Sequence, residues 1–128
     1  NFQLFSRWDY DWFRMSSRML DFYFFSRVVS DAGDKTVWSY VIGPLMEDRF
    51  LVFLSEYHQI NPFIADEIRF LREVYRFFIL NYVIKNGIYF FSEQYAKKLY
   101  TEAIEIYLPS VDRDFDPDKI IDHLKISR

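Results

Sequence analysis

Apolar side chains recur at helical spacing along most of the chain, most regularly between Ala65 and Lys85. Asp66 and Glu67 fall in the first turn of this predicted helix and Lys85 in its last, which suits the helix dipole. From Phe77 onward nearly every side of the helix is apolar, so we expect it at the centre of the domain. Asn86-Gly87 predicts a left-handed stop. The predicted inward face is Ile68, Leu71, Tyr75, Phe78 and Tyr82.

An earlier helix is predicted from Arg18 to about Asp31, with Ser16 or Ser17 as its N-cap. Ala32-Gly33-Asp34 ends it. Its inward stripe is predicted to contain Leu20, Phe24 and Val28, widened by Phe25 and Val29.

Between these two, Gly43-Pro44 opens a helix over roughly Leu45 to Gln59. Ile60-Asn61-Pro62 ends it, because a residue before proline disfavours helical backbone angles. Its predicted buried face is Phe50, Leu51, Phe53, Leu54 and Tyr57.

Two helices are predicted after Gly87. Ser92 caps the first, which runs to about Leu108 before Pro109 ends it. Asp116-Pro117 opens a short last helix over Asp118 to Leu124. The inward residues of the longer helix are predicted to be Leu99, Ala103, Ile106 and Tyr107.

Extended structure is predicted only near the N-terminus and in one connector. Residues 2–8 fit a short strand or hairpin arm, and Thr36 to Ile42 fit a connector that is short and extended. The pattern therefore predicts a mainly α fold, a single helical domain over residues 1–128 with four to five helices. No internal repeat or long linker divides it.

Composition narrows the classes of protein and partner. Aromatic residues are 22% of the chain, which supplies a large core, and Gly 3 with Pro 4 gives few chain breakers. The net charge of −3 argues against nucleic acid as a partner. The longest apolar run, Phe77 to Ile84 around Asn81, is shorter than a bilayer requires, so no membrane partner is expected. The absence of Cys fits a reducing, cytoplasmic location.

Two groups of residues resemble metal sites only superficially. Asp112, Asp114, Asp116 and Asp118 alternate as in a calcium loop, but Pro117 and His123 stand where an EF-hand requires Gly and Glu. We interpret this run as a solvated loop whose last acids cap a helix. His58 and His123 have no neighbours at metal-binding spacing and are assigned structural or surface roles.

Asp9-x-Asp11 is the candidate metal site. Residues two apart on an extended segment point to the same face, and two carboxylates on one face can hold magnesium against a polyphosphate. An exposed acidic turn is the alternative interpretation, because acid pairs at this spacing also arise by chance.

The context of this pair resembles a known enzyme family. Residues 7–13, followed by Arg18-Met19-Leu20-Asp21-Phe22, are similar to the segment after the catalytic loop in aminoglycoside phosphotransferases and choline kinase-like proteins. The resemblance implies that Asp9 binds magnesium, with ATP as the nucleotide, and that Asp11 is its acidic neighbour. It implies that Asp21 is a buried acid that braces the catalytic loop.

The later helices are similar in order to the tail of such a protein, with a helix ending at residues 53–57, then Glu67 to Leu80, then a closing helix. The sequence departs from the family at Ser16 and Ser17, where Gly and Pro are usual. It also lacks the glycine-rich loop, the ATP-binding lysine and the H-x-D-x-x-x-x-N catalytic loop, which position the phosphates. The resemblance therefore implies a kinase-like C-lobe segment that is inactive alone, and no catalytic residue is assigned within it.

The chain begins at Asn1 rather than Met, and we expect it to be the C-terminal part of a longer protein. Its partner is then the N-terminal part of that protein or a second copy of the chain. The alternative function is a noncatalytic all-α interaction domain, favoured by a surplus of aromatic residues beyond what one small core needs.

Overall fold

The structure is a computed structural model that describes residues 17–128. Within that range the protein is mainly α-helical and contains no strand. The predicted N-terminal strand or hairpin lies outside the described residues. The α-helices are α1 (Phe22–Val28), α2 (Asp48–Ile60), α3 (Ala65–Phe78), α4 (Gly87–Phe90), α5 (Glu93–Glu102), α6 (Leu108–Asp114) and α7 (Pro117–Leu124).

Tighter and wider turns extend or join these helices. The 3₁₀ turns are Arg18–Asp21, Gly33–Trp38 and Gly43–Met46, and the π-helical turns are Ile79–Lys85 and Ala103–Tyr107. The π turns make α3 continuous to Lys85 and join α5 to α6 in one long helix. The five predicted helices are therefore all present, with altered bounds.

The predicted helix starts are confirmed where a side chain caps the backbone. The Ser17 hydroxyl accepts from the N–H of Met19, and the Ser92 hydroxyl accepts from the N–H of Tyr95. Asp116 accepts from two backbone N–H groups at the start of α7, where Pro117 stands in the first position. Each cap satisfies amides that the first turn leaves without an intrahelical partner.

Helix α3 lies at the centre of the core. Ile68, Leu71, Val74 and Tyr75 are buried, and α3 contacts α1, α6 and α7. Its predicted inward face is correct, although Phe78 and Tyr82 are only partly buried. The expected central position beyond Phe77 holds for Ile79 and Val83, which are buried, but not for Leu80, which is 51% exposed.

The predicted inward stripe of the first helix is correct only in part: Leu20, Phe25 and Val29 are partly buried against the core. Phe24 and Val28 are exposed, and Met19, Phe22, Tyr23 and Ser26 face the core instead. The reason is that Arg18–Asp21 forms a 3₁₀ turn with about three residues per turn, which shifts the register of the face that follows.

The long helix ends at Lys85 as predicted, but neither Asn86 nor Gly87 is left-handed, and α4 begins directly at Gly87. The predicted end at Pro109 is wrong. Pro109 does not end its helix, because the π turn before it pairs the Leu108 N–H with the carbonyl of Ala103, five residues back. This wider turn makes room for the proline ring. It also changes the register, so that Ile106, predicted to be buried, is half exposed.

The connector predicted to be extended begins inside a tight turn. Thr36 lies inside the 3₁₀ turn Gly33–Trp38, which opens at a left-handed Gly33 with φ +55. Only at Ser39 does the backbone become extended.

Buried tyrosines bind this connector to the core. The Tyr75 hydroxyl donates to the carbonyl of Tyr40, and the Tyr23 hydroxyl donates to the carbonyl of Val41, each over 2.8 Å. The rings of Tyr23 and Tyr75 meet edge to face at 5.0 Å. Burial raises the pKa of both Tyr75 and Tyr23 well above the ordinary value. Both hydroxyls are therefore neutral donors throughout the physiological range.

A second aromatic cluster closes the other side of α1. Phe22 makes edge-to-face contacts with Phe25, Tyr57 and Phe63. Aromatic pairs in this geometry stabilise beyond the area that they bury. The cluster joins α1 to α2 and to the turn that precedes α3.

In the part of the chain that is described, no helix combines the length and the apolar character required to cross a bilayer.

We expect Leu71→Ala to lower the free energy of unfolding by about 2–5 kcal/mol, because Leu71 is fully buried on the central helix and its truncation leaves a cavity. Chemical denaturation followed by circular dichroism measures the change. Val52→Ala on the exposed side of α2 is the control and should change stability by less than about 0.5 kcal/mol. Equal losses in the two variants would contradict the central position of α3.

Candidate functional site

The candidate metal ligands, Asp9 and Asp11, lie outside the described residues, and their assignment stays a prediction. The described chain begins eight residues after Asp9. The structure shows how the residues that follow this pair, from Ser17 onward, are attached to the helices.

Arg18 makes that attachment. Its guanidinium donates to both carboxylate oxygens of Glu67, with Nε to Oε1 at 2.9 Å and Nη2 to Oε2 at 2.7 Å. Nη2 also donates to the carbonyl of Pro62 at 2.7 Å, and Nη1 donates to the carbonyl of Asn61 at 3.3 Å. The planar fork of arginine fits a carboxylate in this bidentate manner, which fixes orientation as well as distance.

Aromatic rings complete the surroundings of Arg18. Its guanidinium carbon lies 5.0 Å from the centre of the Phe63 ring and 5.6 Å from that of Tyr57. A cation over an aromatic face is attracted by the ring quadrupole. Arg18 therefore holds the start of the first helix against the α2–α3 turn through charge, hydrogen bonds and ring contacts together.

The charges of this pair are stabilised in the fold. The hydrogen bond from Arg18 lowers the pKa of Glu67 below its ordinary value of 4.5, although partial burial acts in the opposite direction. The bond to Glu67 raises the pKa of Arg18. Glu67 also accepts from the N–H of Ile64 at 3.1 Å, so one carboxylate caps α3 and binds Arg18.

Asp21 does not lie where the resemblance implies. Its side chain is exposed, and it makes no capping hydrogen bond at the start of α1. The 3₁₀ turn places Met19 inward, and that register leaves Asp21 on the solvent side. The expectation that Asp21 is a buried acid is therefore wrong for this chain.

The alternating acids near the C-terminus have separate contacts. Asp112 accepts from Arg76 at 2.8 Å, and Asp116 caps α7 as predicted. Asp118 accepts from Arg128 at 2.6 Å. Asp114 pairs with its neighbour Arg113. Within residues 17–128, no three or more His, Cys, Asp or Glu side chains are grouped so that they could hold a metal ion.

The two histidines differ in their surroundings. His58 has a structural role, as predicted: its Nδ1 accepts from the N–H of Phe63 at 2.9 Å, and its ring stacks on that of Phe63. His123 is exposed in the last turn of α7.

A pocket of about 420 Å³ opens between the connector and the α5–α6 helix. We call it the connector pocket. Its walls are mainly apolar and include Val41, Ile42, Met46, Ile106, Tyr107 and Ser110. Its exposed lining residues, Val41, Ile106, Arg113 and Asp114, form its mouth, and Ile42, Tyr107 and Ser110 are buried at its base.

A smaller depression of about 240 Å³, here called the apolar groove, lies between the end of the long α3 helix and α5. Ile84, Ile88, Ala96 and Tyr100 contribute to its surface, with Glu93 and Lys97 at its edge. Ile88 is 66% exposed.

Comparisons with known proteins give no family model, no curated protein and no solved structure that matches this chain.

We expect Glu67→Gln to lower the free energy of unfolding by about 1 kcal/mol at pH 7, since it weakens charged hydrogen bonds to Arg18 that are only about a quarter exposed. The pKa of Glu67 is lowered in the fold, so its stabilisation is complete above the unfolded pKa and is lost as the pH falls through the folded pKa. The difference between wild type and variant should therefore shrink below about pH 4.

Urea denaturation at several pH values measures this difference. Glu73→Gln removes a more exposed carboxylate that pairs with Arg76 within α3, and it should cost less than about 0.5 kcal/mol. A difference that stays constant down to pH 3 would show that the Glu67 charge contributes nothing to stability.

Proposed function

We propose that this chain is the C-terminal segment of a kinase-like small-molecule phosphotransferase. In the intact protein Asp9 and Asp11 hold magnesium with ATP, and the helices form the substrate side. The segment works with residues that the sequence does not contain, namely a glycine-rich loop, an ATP-binding lysine and a catalytic loop. It is inactive alone, and its partner is the N-terminal part of the same protein.

One observation carries this proposal. Seven residues after Asp11, Arg18 is bound on two sides, to the carboxylate of Glu67 and to the backbone carbonyls before α3. The apolar helix α1 then opens directly after Asp21. The resemblance implies an arginine followed by an aspartate that opens an apolar helix, and this order supports the proposal, whereas the exposure of Asp21 departs from it.

The helical order gives further support. A helix over Asp48–Ile60 precedes the long helix from Ala65, and a closing helical region follows. This is the order that the resemblance implies for the tail of such a protein. Helical order is a property of the fold, so it supports the proposal less than the local arrangement at Arg18 does.

We expect Asp9→Asn in the intact protein to reduce phosphoryl transfer to background, because the change removes a charge that binds magnesium at nearly constant volume. ATP turnover by the purified protein measures the effect, with circular dichroism to verify the fold. Glu56→Gln changes an exposed acid on α2 and should leave turnover unchanged. Equal turnover in wild type and Asp9→Asn would contradict the phosphotransferase proposal.

A second candidate function is a noncatalytic interaction domain, and the apolar groove favours it. Ile88 and Tyr100 are both more than half exposed, and they lie together in this groove. Large apolar side chains that share one depression are typical of partner surfaces. In this interpretation a second copy of the chain covers the groove.

If the chain has this second function, we expect it to self-associate. Ile88→Asp should abolish the association, because it would bury an unpaired carboxylate in an apolar contact. Sedimentation velocity over a range of protein concentrations measures the association. Val52→Asp places the same charge on an exposed valine of α2 outside the groove and should leave it unchanged. A monomer at every concentration would contradict the interaction domain formed by two copies.

A further inference from the structure

The connector pocket combines an apolar interior with one positive and one negative charge at its mouth. From this combination we infer that the pocket binds a free α-amino acid with a large apolar side chain. The side chain enters the pocket, the carboxylate meets Arg113 and the ammonium meets Asp114. The inference is independent of the proposed phosphotransferase function.

The inner walls favour an apolar group. The polar atoms of the lining residues already have partners: the Tyr107 hydroxyl donates to Glu102, and the Ser110 hydroxyl donates to the carbonyl of Tyr107. A ligand that enters between Ile42 and Ile106 therefore meets hydrocarbon and aromatic surface. The volume of about 420 Å³ lies within the range of small-molecule pockets.

The charged pair at the mouth differs from the neighbouring ion pairs. Arg113 donates through Nε and Nη2 to the two oxygens of Asp114, each at 2.9 Å, and the two residues are adjacent in the chain. By contrast, Arg76 with Asp112 joins α3 to α6, and Arg128 with Asp118 joins the C-terminus to α7. Arg113 and Asp114 both lie within α6, so their pair joins no two of the described elements.

A ligand can also readily replace the contact between Arg113 and Asp114. The Arg113 and Asp114 side chains are 69% and 44% exposed, and an ion pair in water stabilises a protein little. The two partners lower the pKa of Asp114 and raise that of Arg113, so both are charged at neutral pH. A ligand that supplies an opposite charge to each can replace their mutual contact at small cost.

The sign of the charges selects the ligand class. A ligand with one charge would attract one member of the pair and meet the like charge of the other at a similar distance. A zwitterion with its ammonium and carboxylate on one carbon offers an opposite charge to both. An apolar α-amino acid therefore matches the mouth and the interior of the connector pocket at the same time.

L-Tryptophan is a suitable probe, with three comparison ligands that keep the indole ring. Indole-3-propionate carries only the negative charge, tryptamine only the positive charge, and 3-methylindole neither. Titrations of the ¹⁵N-labelled chain followed by nuclear magnetic resonance should show shifts at Ser110 and Arg113. L-Tryptophan should bind about threefold or more tightly than each comparison ligand at low salt.

Three variants test the geometry. Arg113→Gln should remove the advantage of L-tryptophan over tryptamine, and Asp114→Asn should remove its advantage over indole-3-propionate. Ile106→Trp fills the entrance and should weaken all four ligands about tenfold or more. Ile88→Trp enlarges a side chain in the apolar groove instead and should change none of them. Circular dichroism verifies that each variant folds.

Several results would overturn the inference. Equal affinity for all four ligands would show that the pocket recognises only apolar surface. An absence of saturable L-tryptophan binding would exclude the site, as would binding that Ile106→Trp leaves unchanged. None of these results bears on Asp9, so the failure of this inference is distinguishable from failure of the phosphotransferase proposal.

Discussion

The structure depends on a requirement that large buried phenols impose: each hydroxyl needs an acceptor inside the protein. Tyr75 on α3 and Tyr23 on α1 meet this requirement at neighbouring carbonyls, those of Tyr40 and Val41. A buried hydroxyl without a partner costs about as much as one hydrogen bond or more. Because the two donors come from two helices, the stretch around residue 40 has little choice of path between them.

The position of the connector determines the pocket beside it. Val41 and Ile42 follow directly after the carbonyl that Tyr75 binds, and both line the connector pocket. The opposite wall comes from the π turn that precedes Pro109, where the changed register turns Ile106 toward the mouth. The pocket therefore arises from two local departures from regular structure, and departures of this kind are frequent at functional sites.

The sequence predicts this fold best where one local rule decides. Apolar spacing identifies α3 and its buried Leu71, and the short polar side chains of Ser92 and Asp116 mark helix starts. The prediction fails where the helix changes to a 3₁₀ or π turn, as before Phe24 and after Ala103. Such a turn shifts the register of the residues that follow, and a hydrophobic pattern with a fixed period of 3.6 residues cannot show that shift. The 3₁₀ and π turns depend on packing that the local sequence does not reveal.

The two candidate sites differ in how far the sequence could predict them. Asp9 and Asp11 stand out by spacing and context within a few residues, so they can be proposed without a structure. The Arg18–Glu67 contact joins residues 49 positions apart, and the connector pocket joins Val41 to Arg113. No periodicity links residues at such separations, and only the folded chain brings them together.

The charged residues of the helical body differ in what a ligand that engaged them would disturb. Glu67, Asp112 and Asp118 each join separate parts of the chain, so a ligand that engaged them would break a structural contact. Among the described residues, Arg113 and Asp114 pair with each other inside α6, and a ligand that replaced their contact would break no described ion pair between helices. A protein can use charges for recognition at low cost when the fold does not rely on them, and this pair meets that condition beside an apolar cavity.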